Sequence, residues 1–116
     1  MKLSQINNYS FKAGTVHVCN INKETLYSYN AVKKFAEEKG MNLFIIKNNI
    51  RTYLSDDNIY TIISTKDYKT LHKNICGIAY AMPNKKASAK EISVKIFNAV
   101  LQSIENFENR LNRNSR

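Results

Sequence analysis

The chain is short of several things that enzymes of its size depend on. Three glycines in 116 residues leave no Gly-rich loop to cradle phosphates, and neither a nucleophile elbow nor an HExxH motif occurs. Acids are few: nine, against 18 lysines and arginines. The only adjacent acidic pairs, Glu37-Glu38 and Asp56-Asp57, fall toward the solvent side of an expected helix and in an expected turn. Neither placement gives the convergence in a pocket that acid/base catalysis needs. The reading is therefore not an enzyme, with no cofactor. Long apolar runs are also missing, so no bilayer-spanning segment is expected, and Met1 to Asn8 lacks the apolar core of a secretory signal. A soluble, cytoplasmic protein with no membrane contact is expected.

Cysteine is scarce too. Cys19 and Cys76 sit in apolar stretches without repeat spacing and read as buried free thiols in a reducing compartment. His17 and Cys19 share one strand face, and His72 precedes Cys76 by four residues. Together these are zinc-ligand types, but the spacing is no familiar finger pattern, so two ordinary histidines and two thiols are expected and no metal.

What the chain has is positive charge. The formal net charge of +9 favours a polyanionic partner: nucleic acid first, then an anionic surface or an acidic protein. Sixteen asparagines and 14 lysines against four arginines also fit AT-rich coding, which inflates lysine without selection for binding. Order says more than number. Seven lysines lie from Lys66 to Lys95 against Asp67 and Glu91, and five basic residues from Lys33 to Arg51 against Glu37 and Glu38. Any one of them is ordinary solvated charge; the two stretches gain meaning if the fold brings them to one side.

The rest of the chain reads as a single domain, 1–116, of α+β class. Gly14 to Ile21 is rich in β-branched residues and predicts a strand. Asn22 looks like an N-cap for a helix running to about Lys39, with Leu26, Tyr29, Val32, Phe35 and Ala36 as its buried stripe and Gly40 as its left-handed stop. In 43–54, Leu43, Ile46, Ile50 and Tyr53 fall at helical steps, and the opposite face shows Lys47, Asn48, Asn49, Arg51 and Thr52. The same segment also reads as a strand with Asn48-Asn49 as its turn; the helix is the leading expectation. Ser55 to Asn58 predicts a turn, 59–65 and 74–82 predict strands, and 66–73 is either a hairpin tip or a short helix. Gly77 weakens the second strand. After Pro83, the capping box Ser88-Ala-Lys-Glu91 predicts a helix over 88–113. Its residues Phe97, Val100, Ile104, Phe107 and Leu111 repeat at steps of 3 and 4, a heptad seam that predicts a homodimer.

Ala36 in the first helix, Gly40 at the turn, and Ile46 and Ile50 in the second helix, followed by a hairpin, resemble the winged helix-turn-helix DNA-binding family over 15–82. Ile50 falls about one position late against the common spacing, which implies a longer turn. The resemblance implies that 43–54 is a recognition helix in the major groove of double-stranded DNA. Lys47, Asn48, Asn49, Arg51 and Thr52 would divide base reading from phosphate contact there. It also implies a basic wing at 66–73 carrying Lys66, Lys69 and Lys73, with Lys85 and Lys86 adding phosphate contacts. The function so implied is a dimeric regulator or accessory factor of a plasmid or phage. A rival expectation is a protein-interaction module, such as a phage-encoded inhibitor of a host complex, in which 42–64 belongs to a three-stranded meander. A third is an RNA-binding α+β domain, with Tyr53 and Tyr60 as stacking rings on an open sheet.

Overall fold

The computed structural model describes residues 14–22, 26–51, 53, 56–66 and 75–114. The elements are β1 (Val16–Cys19), α1 (Tyr29–Lys39), β2 (Asn42–Arg51), β3 (Asp56–Thr65), β4 (Gly77–Ala81) and α2 (Ala89–Asn114). They form an α+β fold with one four-stranded sheet in the order β1-β2-β3-β4. β1 runs parallel to β2, and the remaining pairs are antiparallel. No helix among the described residues is long and apolar enough to cross a membrane.

The segment 43–51 is strand, so the expected recognition helix is absent. Helical spacing of Leu43, Ile46 and Ile50 competes there with a Leu-Phe-Ile-Ile run that satisfies a strand on both faces. Cross-strand pairing decides it: Phe44 lies opposite Ile63, Ile45 opposite Ile62, and Ile46 opposite Thr61, and β-branched pairs of this kind stabilise a ladder. The expected turn at Ser55–Asn58 also moves, because Asp56, Asp57 and Asn58 belong to β3. Nor do Asn48 and Asn49 form a turn; both lie within β2, and Asn49 Nδ2 donates to Asn58 Oδ1 across the ladder at 3.0 Å. A strand joined in parallel to β1 through α1 is a different connection from the winged helix-turn-helix order expected for 15–82.

α1 starts at Tyr29, later than Asn22 suggested. The chain ahead of it is tied to α2: the Tyr27 N–H donates to Ser93 Oγ at 3.0 Å, and Ser28 Oγ donates to the Ser93 carbonyl at 3.1 Å. Its end is as expected, with Gly40 left-handed at φ 65° and the Met41 N–H donating back to the Ala36 carbonyl at 2.9 Å. Val32 and Ala36 are fully buried. Beyond Gly40, Asn42 gathers three chain segments: Thr15 Oγ1 donates to its Oδ1 at 2.6 Å, and its Nδ2 donates to the Lys66 carbonyl at 3.2 Å.

The Ser88 half of the capping box is formed, and the two side chains bond to each other. The Glu91 N–H donates to Ser88 Oγ at 3.2 Å, and Ser88 Oγ donates to Glu91 Oε1 at 3.3 Å. From there α2 runs 26 residues, about 39 Å at 1.5 Å per residue. Both helices lie on one side of the sheet, where Val16, Leu43, Ile45, Ile62 and Ala79 join Val32, Ile96 and Val100 in the core. The Phe35 and Phe97 rings meet edge to face between the helices, 6.1 Å apart. The heptad seam is spent here. Val100, Ile104 and Phe107 are at most 3% exposed within the chain's own core, and Phe97 and Leu111 pack against it. Those three are closed to a second copy: the 3,4 spacing expected to pair two chains marks, at Val100, Ile104 and Phe107, a stripe buried against the chain's own sheet.

Gly77 makes that packing possible. A Cβ at this position would run into the Ser103 carbonyl and the backbone of Phe107. Beside it, fully buried Ser64 donates through Oγ to the same Ser103 carbonyl at 2.8 Å. Gly77→Ala is expected to lower stability by about 3 kcal/mol, since backbone rather than a flexible side chain must yield; urea denaturation followed by circular dichroism measures it. A second expectation concerns Tyr60, 5% exposed on the helix side, where burial raises the phenol above its ordinary value of 10.0. The folded state then holds its proton where the unfolded chain has lost it. Stability is fully present below about pH 10 and falls as pH rises through the folded value. Tyr60→Phe should flatten that alkaline loss, seen by comparing urea midpoints at about pH 9 and about pH 11.

Candidate docking surface

With both helices on one side, alternation sends every second strand residue to the other side. Two cross-strand rows define that face: His17–Phe44–Ile63–Ile78, and Cys19–Ile46–Thr61–Tyr80. A third begins with Asn48 opposite Ile59, and Ile50 follows. The His17 and Phe44 rings stack with centroids 4.9 Å apart and planes 16° from parallel. The face is closed at one end, where Asn42 and Thr65 are 2% and 0% exposed, and opens toward the other, where Ile50 is 45%, Tyr80 61% and Met82 66% exposed. No helix or strand among the described residues covers it, and no described lysine or arginine side chain of the strands points from it.

β4 shows how the local sequence builds this. In Gly77-Ile-Ala-Tyr-Ala81 the small residues are buried against α2 and the large ones are exposed. Small residues let the helix approach closely; large ones form the outer surface. That period-two alternation of size was present in the sequence and identifies Ile78 and Tyr80, which the charge-led reading passed over. Phe44 and Ile46 were hidden by the helical reading of their segment.

The described residues among those assigned to DNA contact do not gather on one surface. Lys47 sits on the helix side of β2 opposite Tyr60, half-buried, and its carbonyl accepts from Asn20 Nδ2 at 3.3 Å. Asn48 and Asn49 are exposed further along β2, and Arg51 ends that strand. Lys66 is exposed beyond the far end of β3, six residues and so about 20 Å from the level of Lys47. Among the described residues, Lys66 and the 47–51 segment are not brought together. Lys85 and Lys86 are exposed in the turn before α2, where the Lys86 N–H donates to Asn84 Oδ1 at 3.2 Å. Thr52, Lys69, Lys73 and His72 lie outside the described residues.

The strands β2 and β3 outrun their neighbours. β1 stops beside Ile46 and β4 beside Tyr60, while the β2–β3 ladder continues for four pairs, Asn48–Ile59 to Arg51–Asp56. This leaves a two-stranded ribbon projecting about 14 Å, with Tyr53 fully exposed in its turn. Tyr53 and Tyr60, the rings an RNA-binding sheet would use, do not share the open face, because Tyr60 is buried toward the helices. Cys19 and Cys76 are free, as expected, but Cys19 is exposed and Cys76 half-buried. They lie at opposite edges of the sheet, and no group of three metal-ligating side chains occurs among the described residues.

Comparison with family models, with curated proteins and with solved structures finds no match. The parity of β4 makes a direct prediction. Ile78→Ser or Tyr80→Ser should change folding stability by less than about 0.5 kcal/mol, whereas Ala79→Asp, which buries an unpaired charge under α2, should abolish the cooperative thermal transition.

Proposed function

We propose that the protein is a non-enzymatic docking module that binds an acidic protein through the open face of its sheet. The observation supporting this is the chemistry of the face: aliphatic and aromatic side chains at half-exposed positions, with no described lysine or arginine side chain of the strands among them. Nucleic-acid surfaces set cations among their stacking rings, because phosphate contacts supply most of the affinity. An apolar centre depleted of charge is instead how protein interfaces are built. The net charge of +9 then selects and steers a partner of opposite sign, raising the association rate more than the affinity.

The test is a photoreactive benzophenone side chain in place of Tyr80, irradiated in an extract of the cells that produce the protein. The expected product is a crosslink to a protein of net negative charge, lost on Ile78→Asp and retained on Lys34→Glu, which lies on α1. Crosslinks to nucleic acid, or a yield indifferent to Ile78→Asp, reject the reading.

One observation favours a second reading, binding of duplex DNA. The projecting ribbon carries Asn48, Asn49 and Arg51, with Lys47 at its base, and a two-stranded ribbon fits the major groove as a helix does. Lys85 and Lys86 follow β4 at the same end of the sheet. Against it, Asp56 and Asp57 bring the ribbon's net charge close to zero. This reading predicts duplex affinity, measured by fluorescence anisotropy, that falls linearly in log salt, and a loss of about 1–3 kcal/mol for each of Asn48→Ala and Arg51→Ala. A flat salt response excludes it.

A further inference from the structure

β4 is an edge strand, and α2 treats the two halves of that edge differently. Asn106 Nδ2 donates to the outward carbonyl of Ile78 at 3.0 Å, and Arg110 Nη1 to that of Cys76 at 3.4 Å. Gln102 Nε2 donates in turn to Asn106 Oδ1 at 3.0 Å. Residues 102, 106 and 110 recur at the four-residue step of one helix face, so a single row of side chains runs along the edge and satisfies its carbonyls. Backbone groups of alternate residues point outward on an edge strand. Since Ile78 points outward, so do the N–H and C=O of Tyr80, and among the described residues the bonds from α2 stop at Ile78. Capping an edge with side chains guards it against unwanted strand pairing; here the guard covers half the strand.

Beside the uncapped half lies a groove of about 440 Å³ between β4 and α2, lined among others by Tyr80, Met82, Lys95, Asn98 and Gln102. No acidic side chain lines it. Its polar groups are amides and an ammonium, which offer hydrogen bonds to carbonyls and carboxylates.

We propose that this groove receives an extended acidic segment of the partner protein, which pairs with the edge at Tyr80 and places a carboxylate at Lys95. Strand addition takes its affinity from main-chain bonds and its selectivity from side-chain sites at alternate positions. Lys95 supplies the site for negative charge, and the amide of Asn98 the next along the row. A nucleic-acid strand suits the groove less well, since one lysine offers a single phosphate contact. The inference rests on the protein-docking reading and narrows it to a segment type.

The test uses the full chain, nitrogen-15 labelled, and a synthetic octapeptide alternating valine and glutamate. Titration should shift the backbone amide of Tyr80 and the side-chain amides of Asn98 and Gln102. Lys95→Glu should weaken binding by about tenfold, and Lys34→Glu should leave it unchanged. Methylating the peptide's backbone nitrogens at alternate positions should abolish binding in one register and spare it in the other, a signature that charge attraction alone does not give. Equal binding by both methylated peptides, indifference to Lys95→Glu, or displacement of the peptide by a single-stranded oligonucleotide overturns the proposal. If the Tyr80 crosslink finds an acidic protein while the octapeptide leaves the Tyr80 amide unmoved, the edge proposal fails and the docking face stands.

Discussion

Everything in this fold depends on how closely α2 lies against β4. The helix backbone comes near enough at Ser103 and Phe107 that the strand must place a glycine beneath it, and Ser64 bonds across the gap to hold the distance. That approach puts Ile96, Val100, Ile104 and Phe107 inside the core on one side of the sheet. α1 joins the same layer through Phe35 and the Ser93 bonds. Among the described residues the architecture is therefore two layers rather than three, and no helix or strand covers the second sheet face. A helix held one side chain further out would bury less and leave the edge carbonyls of Cys76 and Ile78 without their caps.

The β1–β2 side of the sheet is organised by polar bonding. Asn42 is 2% exposed and holds Thr15, the start of β2 and the end of β3 together. A buried amide in this position costs free energy unless its bonds are made. Its bonds fix the register of the parallel β1–β2 pair, which has no hairpin to set it. Only with that register do His17 and Phe44 stack and Cys19 fall beside Ile46.

Signals confined to a few adjacent residues were legible in the sequence: the helix start at Ser88 and Glu91, the left-handed stop at Gly40, the buried stripe of α1, the strand at 59–65. Signals whose meaning depends on a distant neighbour were not. The 3,4 repeat from Phe97 to Leu111 records a buried stripe, and nothing local distinguishes a sheet of the same chain from a second helix. Residues 43–51 carry both periods, and the tie is broken by β3, which supplies isoleucines at the matching positions. Gly77 counted against a strand by propensity, yet it is required by a helix some 26 residues later in the chain. The charge-bearing residues were legible as composition but not as a surface, because Lys47 and Lys66 belong to opposite ends of one sheet.

β4 also bears on how such a chain can change over time. Its even-numbered residues face outward and its odd-numbered residues carry α2, so neighbouring codons answer to different demands. On the docking proposal, substitutions at 78 and 80 would alter what the surface recognises while the fold is untouched; substitutions at 77, 79 and 81 would alter the fold, and recognition only with it. Lineages descending from this sequence would therefore drift in partner preference at one parity and stand still at the other. A five-residue strand would then carry two clocks, and the contrast between them would locate the docking face from sequences alone.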